Sequence, residues 1–171
     1  MSPRPAHTAA NHDPVSEPTD PLSILIVDDD PDACAILSLA LEASGTYDVT
    51  VAQSATEALD AIKSRHEPFN GVFLDIRMPK ITGFELCSII RSTSGYSNVP
   101  IIMITGMTEQ SYLQAAYVVG ADDYIEKPYD LNEIPARFSR ARKKRAHLVH
   151  GPVGHSSSGR VVLSVVQGAS I

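Results

Sequence analysis

The sequence contains no tryptophan, only two cysteines and no long hydrophobic run. A membrane-spanning helix needs about 18 or more consecutive apolar residues, and a secretory signal needs an apolar stretch near the amino terminus; the sequence has neither. Cys34 and Cys87 lie far apart and form no CxxC pair, which excludes a disulfide framework and predicts two small buried side chains. These absences predict a cytoplasmic protein without membrane insertion.

Charge is spread unevenly over a chain whose composition is otherwise that of a globular protein. Of the 171 residues, 43% are hydrophobic and 20% are charged, which is enough for one domain with a buried core. Residues 22–134 carry six basic and seventeen acidic side chains, whereas residues 135–171 carry seven basic and no acidic ones. An acidic body argues against a nucleic-acid-binding domain and leaves one local basic surface to explain.

The chain divides into three parts by composition. Residues 1–21 contain five prolines and no apolar periodicity, which predicts a flexible leader. Residues 22–146 hold the strong helix and strand patterns and form the predicted domain. Residues 147–171 combine a spacer rich in glycine and serine with one short β-prone run, Val161 to Val166, so we expect a mostly flexible tail with room for one short strand.

Short apolar runs alternate five times with helical patterns in residues 22–146. Runs such as ILIV and IIMIT are continuously apolar, which is typical of parallel strands covered by helices on both faces. Repeated βα units of this length favour right-handed crossovers, so the pattern predicts an α/β fold with a doubly wound, five-stranded parallel sheet and five helices. Pro135 interrupts the last helical pattern and predicts that this helix begins near Ile134.

Polar side chains follow the strands at one end of this predicted sheet. In an open parallel sheet, the carboxyl ends of the strands form one edge, where ligands bind. The candidate residues at that edge are Asp28, Asp29, Asp30, Asp75, Thr105 and Lys127. Carboxylates held close together repel each other unless a cation joins them, and a ligand set made of oxygen atoms alone favours a hard ion such as Mg²⁺.

These residue types together suit the transfer of a phosphoryl group. One aspartate beside a metal ion can attack phosphorus and form an acyl phosphate. A lysine ammonium and the metal would neutralise the phosphoryl oxygens, a threonine hydroxyl would donate a hydrogen bond, and the small Gly106 would leave room for the donor. The alternative interpretation is that these residues have no chemical role: the aspartates Asp28, Asp29 and Asp30 are anions at a helix amino terminus, and Lys127 is a solvated charge.

Four segments resemble the receiver domain of two-component response regulators: ILIVDDDP, FLDIRMPKITG, IIMITG and GADDYIEKPYD. The resemblance covers residues 22–146 and implies the flavodoxin-like strand order 2-1-3-4-5. It also implies that Asp75 is phosphorylated by a sensor histidine kinase or a histidine phosphotransfer protein. The chain would then be a phosphorylation-activated signalling switch that acts by altered docking to partners.

The same resemblance implies a magnesium site. Asp28 and Asp29 would position Mg²⁺, with Asp29 the more direct ligand, and Asp75 and the backbone carbonyl of Arg77 would complete the site. The side chains of Arg77 and Met107 match two positions that tune the lifetime of the phosphoryl group in this family.

The resemblance further implies a switch behind the phosphorylated residue. Thr105 and Lys127 match the family's hydroxyl and lysine, and Pro128 matches a proline whose preceding peptide bond is usually cis. Tyr124 matches the switch aromatic. By analogy, Thr105 would move toward the phosphoryl group and Tyr124 would turn inward, which alters the face built from the fourth helix, the fifth strand and the fifth helix.

The resemblance implies that an unknown downstream protein binds that face. A phosphorylation-dependent dimer is a second possibility for the same face. No effector motif can be placed in the last 26 residues of the 171, so neither direct DNA binding nor an attached output domain is expected. The alternatives are a phosphorylation-independent scaffold and a fragment of a longer regulator with an output domain. No enzyme activity is expected beyond the magnesium-dependent phosphorylation and dephosphorylation of the chain itself, since an aspartyl-phosphate phosphatase would need a second aspartate where Arg77 stands.

The last helix carries a run of basic residues. Arg142, Lys143, Lys144 and Arg145 follow one another directly. Two interpretations remain open for them, a solvated helix face and a surface that docks to an acidic partner or to nucleic acid.

Overall fold

The computed structural model describes residues 20–106 and 110–149. The strands are β1 (Leu22–Val27), β2 (Tyr47–Ala52), β3 (Gly71–Asp75), β4 (Ile101–Thr105) and β5 (Asp123–Glu126). The helices are α1 (Pro31–Glu42), α2 (Ala55–Ser64), α3 (Gly83–Ser92), α4 (Gln110–Val118) and α5 (Ile134–Val149), the last preceded by a 3₁₀ turn, Leu131–Glu133.

The five strands form one sheet in the order β2-β1-β3-β4-β5, with every pair parallel. This confirms the doubly wound fold and the expected strand order. Helices α1 and α5 pack on one face of the sheet, and α2, α3 and α4 pack on the other. Because both faces are covered, β1, β3 and β4 are buried along their whole length, which is why their sequences are continuously apolar.

Aromatic rings fix α5 against the sheet. Phe138 packs against Phe73 of β3 and Tyr47 of β2, with ring centroids 5.9 and 5.7 Å apart. Gly71 leaves the space for this ring, because a Cβ atom there would lie 2.2 Å from it. Full burial of such a side chain stabilises the fold by about 2 to 3 kcal/mol. These contacts therefore fix the position of α5 relative to β3.

Loop side chains fix where the helices begin. Asp30 accepts hydrogen bonds from the first-turn N–H groups of α1, and Thr82 forms a reciprocal capping box with Glu85 at the start of α3. The last helix begins at Ile134, as predicted, so Pro135 falls in its first turn, where a proline removes no helical hydrogen bond.

Several predictions concern residues at the edge of the described ranges or beyond them. Helix α5 continues to Val149, past the predicted domain end at residue 146. The predicted leader (apart from its last two residues), the tail run from Val161 to Val166 and the role of Met107 lie outside the described residues and stay predictions. Among the helices that are described, none is long and apolar enough to cross a membrane.

Both cysteines are buried and free, as expected from their isolation in the sequence. Burial raises the pKa of Cys34 to about 11, and the nearby Asp28 carboxylate adds to this effect. Burial likewise raises the pKa of Cys87 to about 11. Both side chains are therefore protonated thiols at neutral pH and behave as small apolar groups.

Candidate functional site

The candidate site lies at the carboxyl ends of β1, β3, β4 and β5. Asp28 directly follows β1, and Asp75 is the last residue of β3, the neighbouring strand. The chain order reverses between these two strands, which is where a crevice opens beyond a doubly wound sheet. The fold therefore brings together carboxylates that are far apart in the sequence.

The loop that follows Asp75 packs closely against it. The backbone N–H of Arg77 donates a 2.6 Å hydrogen bond to Asp75 Oδ2, so the loop folds back toward the carboxylate. Lys80 adopts a left-handed conformation with a φ of 69° in the same loop. A Cβ atom at Gly83 would lie 2.1 Å from the Asp75 carbonyl oxygen, so only glycine lets α3 begin this close to Asp75.

The three aspartates that follow β1 do not all have the same role. Asp28 faces the site, where its Oδ1 accepts a 3.0 Å hydrogen bond from the backbone N–H of Asp30. The Asp30 side chain instead caps α1. Of the three adjacent aspartates, Asp30 therefore belongs to the helix and does not share the site, as the helix-terminal alternative predicts for this residue. Asp29 is exposed at the mouth of the cluster.

Lys127 joins the two buried carboxylates. Its Nζ lies 2.6 Å from Asp28 Oδ2 and 2.9 Å from Asp75 Oδ1. The lysine is positioned by its backbone, because its N–H donates a 2.8 Å hydrogen bond to the carbonyl of Thr105 and its peptide bond to Pro128 is cis, as the resemblance implies. Sequence-distant strands thus converge on one ammonium group.

The pKa values of this pair follow from burial and mutual attraction. Burial raises the pKa of Asp75, and although Lys127 opposes this effect, the net shift is upward. Burial lowers the pKa of Lys127, but its hydrogen bonds to the two carboxylates outweigh that effect and leave the pKa above its ordinary value. Lys127 is therefore fully charged in the site at neutral pH.

The cluster fits a divalent cation. Carboxylate oxygens of Asp28, Asp29 and Asp75 all lie within 4.8 Å of one another. Three carboxylates and one ammonium leave a formal charge of about −2, which one divalent ion would balance. Each carboxylate oxygen of Asp28 and Asp75 accepts one hydrogen bond from the protein and can accept more, and oxygen-only donors suit Mg²⁺.

Arg77 and Gly106 stand on the rim of the site. The Arg77 side chain is exposed and extends toward β4, where its guanidinium nitrogen is 3.9 Å from the position that a Cβ atom of Gly106 would take. Apart from its chain neighbours, no other atom in the part of the chain that the structure describes lies within 4 Å of that position.

Thr105 and Tyr124 lie behind the carboxylates on the face that carries α2, α3 and α4. Thr105 ends β4, one residue after Ile104, which pairs with Asp75. Tyr124 pairs with Met103, and because residues two apart share a face, the threonine and the tyrosine are diagonal neighbours. Thr105 is completely buried and Tyr124 is 7% exposed, so both side chains are covered by their neighbours.

Tyr129 is a residue at the site that the sequence interpretation missed. It lines a small cavity beneath Asp28 and Asp75 together with apolar side chains. Burial raises the pKa of its hydroxyl, so the ring adds an uncharged wall to the site. Its place directly after the Lys127–Pro128 pair was the available signal.

A second buried charge cluster lies at the opposite end of the sheet, and it too was missed. Arg91 of α3 and Arg145 of α5 both pair with Asp122, at 2.8 and 2.5 Å. Both arginines also donate 2.9 Å hydrogen bonds to the carbonyl of Gly120, and Asp122 accepts another from the backbone N–H of Ile101. The interpretation of Arg145 as part of an exposed basic surface is therefore wrong, because its side chain is only 18% exposed.

A family model described as "Response regulator receiver domain" matches residues 24–139. The chain is 39% identical over 132 residues to "Response regulator MprA" of a Mycobacterium species (strain KMS), covering 77% of this chain and 55% of that protein. It is 36% identical over 122 residues to "DNA-binding response regulator MtrA" of Mycolicibacterium smegmatis, covering 71% of this chain and 50% of that protein.

Among solved structures, the chemotaxis response regulator CheY4 of Vibrio cholerae superposes with a TM-score of 0.65 at 30% identity. The match covers 71% of this chain and 98% of that one.

The chain spans about half the length of the curated relatives it matches. The expectation that no output domain is attached is therefore not confirmed. The expectation that direct DNA binding is absent is not supported for longer forms, because the second relative is named a DNA-binding response regulator. The motif resemblance, the strand order and the family match all agree. The chain belongs to the response regulator receiver domain family.

Proposed function

We propose that Asp75 is the residue through which this receiver acts as a phosphorylation switch, taking its phosphoryl group from a phosphohistidine of a sensor kinase or phosphotransfer protein in the cytoplasm. The observation that carries the proposal is the placement of Asp75. Its carboxylate is held by the Lys127 ammonium and by the Arg77 N–H, next to two further carboxylates that leave the cluster short of positive charge.

The chemical step uses this arrangement, the phosphohistidine donor and a divalent cation. A carboxylate oxygen of Asp75 attacks phosphorus, an O–P bond forms, the N–P bond of the phosphohistidine breaks, and its electron pair returns to the imidazole. Lys127 offsets the charge on the transferring oxygens, and the hydroxyl of Thr105 donates to one of them. Asp28, Asp29, Asp75 and the carbonyl of Arg77 would hold Mg²⁺, which supplies positive charge to the same oxygens.

The surroundings of the site suit a donor that enters and leaves. Gly106 has no side chain beside Thr105, which favours the approach of a histidine side chain there. Arg77 stands over that space and has the reach to contact the phosphoryl group or to shield it from water. Beyond its own phosphorylation and dephosphorylation, the chain would catalyse no reaction.

The switch would act through the strand pair that ends at the site. A phosphoryl group adds about −1.5 to −2 charges at Asp75. Attraction of Thr105 toward that group changes the space beside Tyr124, its diagonal neighbour. Since Tyr124 lies on β5 between α4 and α5, we propose that phosphorylation alters partner docking, or pairing with a second copy, on the face formed by α4, β5 and α5.

A second candidate is the same switch inside a longer regulator. The observation that favours it is that the chain covers only 50% and 55% of the two curated relatives, one of which is named a DNA-binding response regulator. In that case the phosphoryl group on Asp75 would control an output domain joined to the receiver.

The test is incubation with acetyl phosphate and Mg²⁺, followed by intact mass and peptide mapping. We expect one phosphoryl group, located on Asp75, that requires the metal and is absent from Asp75→Asn. A matched control is Asp30→Asn, because asparagine caps a helix as well as aspartate and Asp30 lies outside the cluster. This variant should label like the wild type.

Undiminished labelling of Asp75→Asn would refute the assignment of the phosphorylated residue. A wild-type chain that binds Mg²⁺ but takes up no phosphoryl group, from acetyl phosphate or from a phosphorylated kinase, would favour the phosphorylation-independent scaffold.

A further inference from the structure

An open groove of about 290 Å³ runs between the start of β5 and the exposed side of α5. We call it the basic groove and define it by its lining residues: Asp122, Asp123, Arg137, Arg140, Ala141 and Lys144. It lies on the proposed output face, at a distance along the sheet from the Asp75 cluster. Its residues have no part in the phosphoryl chemistry.

The two acidic residues of the basic groove are already neutralised within the domain. Asp122 is paired with two arginines beneath the groove floor. Asp123 accepts hydrogen bonds from Arg137 at 3.2 and 3.4 Å through its two oxygens. The negative charges that line the groove therefore do not face an incoming partner as free anions.

Two cations of the basic groove are exposed and form no ion pair with a described residue. Arg140 and Lys144 are both exposed, and they lie one turn apart on α5, so they project in the same direction. Neither side chain has an ion pair with any residue that the structure describes. The groove therefore presents positive charge on a domain whose body is strongly acidic.

An aromatic surface adjoins these cations. The Lys144 ammonium lies 5.7 Å from the ring centroid of Tyr117 on α4. Tyr117 is 46% exposed, which is high for a tyrosine that contacts another helix. Tyrosine is enriched at protein interfaces and at their energetic hot spots, so this exposed ring offers a partner an aromatic contact.

We infer that the basic groove binds an acidic segment of a partner protein, with carboxylates at Arg140 and Lys144 and an apolar side chain against Tyr117. The argument is one of charge complementarity, because the groove is the basic part of an acidic domain and both its own aspartates are paired. A nucleic acid extends beyond this small basic groove, so its phosphates would also lie close to the acidic surface of the domain, which repels them. The inference rests on the proposed function in so far as it names the partner of the output face.

The test uses a short fluorescein-labelled peptide rich in glutamate with a single leucine, followed by fluorescence anisotropy. We expect saturable binding that weakens as salt is added, since exposed ion pairs are screened. Reversal of both groove cations, in Arg140→Glu with Lys144→Glu, should weaken the affinity by about tenfold or more. Tyr117→Ser should also weaken it, without the salt dependence changing.

The matched control is Arg142→Glu with Lys143→Glu. These residues are exposed neighbours on α5 that do not line the groove, and the charge change is the same. We expect this control to bind the peptide nearly as the wild type does. Equal losses in the two double variants would overturn the inference, because they would indicate attraction by net charge alone. Urea unfolding of both double variants separates loss of binding from loss of fold.

Three other results would overturn the inference. One is an absence of peptide binding in both the phosphorylated and the unphosphorylated chain. Another is tighter binding of duplex DNA that the groove variant abolishes, which would make nucleic acid the occupant. The third is a dimer in light scattering that the groove variant dissociates, which would make a second copy the occupant.

The state of Asp75 is measured separately by intact mass. If the peptide binds equally with and without the phosphoryl group, the groove assignment stands and its control by Asp75 fails.

Discussion

The domain holds a buried aspartate paired with cations at each end of its sheet, and the two clusters are built on opposite principles. At the carboxyl ends, two buried carboxylates share one lysine, and the third carboxylate, Asp29, is exposed. At the amino ends, one carboxylate is shared by two arginines, whose other N–H groups donate to backbone carbonyls. The first cluster has fewer cations than carboxylates and is exposed at Asp29. The second cluster is buried, and its carboxylate is fully hydrogen-bonded.

The difference separates a site from a structural link. A buried charge that is fully paired and hydrogen-bonded has nothing to gain from a ligand, so the Asp122 cluster ties α3, α5 and the sheet together. A cluster with a surplus of like charge is held together at a cost that a cation relieves. Burial of an aspartate alone therefore does not identify a functional site, but uncompensated charge around it does.

The largest effect on stability is expected where the Asp122 cluster is broken. Arg91→Ala leaves Asp122 with one arginine and removes donors from carbonyls around it. We expect a loss of about 3 kcal/mol in the free energy of unfolding, because a buried carboxylate loses one of its two cations and the surrounding carbonyls lose a donor. Urea denaturation measures this loss. A loss below about 1 kcal/mol would contradict the prediction, because it would equal the contribution of an ordinary surface ion pair.

The next effect is the gain in stability when the Asp75 cluster receives a cation. Mg²⁺ at a hundredfold excess over its Kd should raise the free energy of unfolding by about 2.7 kcal/mol. Asp29→Ala should remove most of this gain, because Asp29 contributes one of the three carboxylates. Thermal unfolding with and without Mg²⁺ gives the comparison. An equal gain for the variant would exclude Asp29 as a ligand.

A smaller effect is expected from removing the charge of Asp75 in metal-free buffer. Burial raises the pKa of Asp75 in the folded chain, so ionisation disfavours folding as the pH rises through that range, and the full cost is present at neutral pH. We therefore expect Asp75→Asn to be more stable than the wild type at neutral pH by about 1 kcal/mol. The difference should shrink in acid, where the wild-type carboxyl is protonated. A less stable variant at neutral pH would contradict the sign of the shift.

The smallest effect should come from the exposed ion pairs of α5. Arg137 contacts Asp123 at 3.2 Å and Glu133 at 3.6 Å, and its side chain is 30% exposed. Arg137→Ala should lower the free energy of unfolding by only about 0.5 kcal/mol. Urea denaturation at low and high salt tests this, and a loss as large as that of Arg91→Ala would remove the contrast between surface and buried pairs.

The doubly wound parallel sheet was predictable because its pattern is local in the sequence, whereas the strand order was implied by the resemblance to receiver domains. The continuous apolar runs of β3 and β4 require cover on both faces, and repeated βα units allow few topologies. Asp75 and Lys127 were predictable for a similar reason, because residues that follow parallel strands must meet at one edge of the sheet. Asp30 was the exception among the edge residues, because its next neighbours in the chain made it a helix cap.

The Asp122 cluster could not be predicted in the same way. Asp122 lies 31 residues from Arg91 and 23 from Arg145, and no motif in the sequence links the three. Arg145 also stands at the end of a run of four basic residues, of which only the helix geometry distinguishes the one that turns inward. An aspartate directly before a strand was the available signal that a cation lies near it.

The burial of Cys34 and Cys87 has a practical consequence for spectroscopy. Maleimide reagents react with thiolates, and two thiols with pKa values near 11 in the core are unreactive at neutral pH. A cysteine introduced at Val118, which is 85% exposed on α4, would therefore be the preferred point of attachment for a dye or spin label. Movements of α4 can then be followed in a chain that keeps both of its native cysteines.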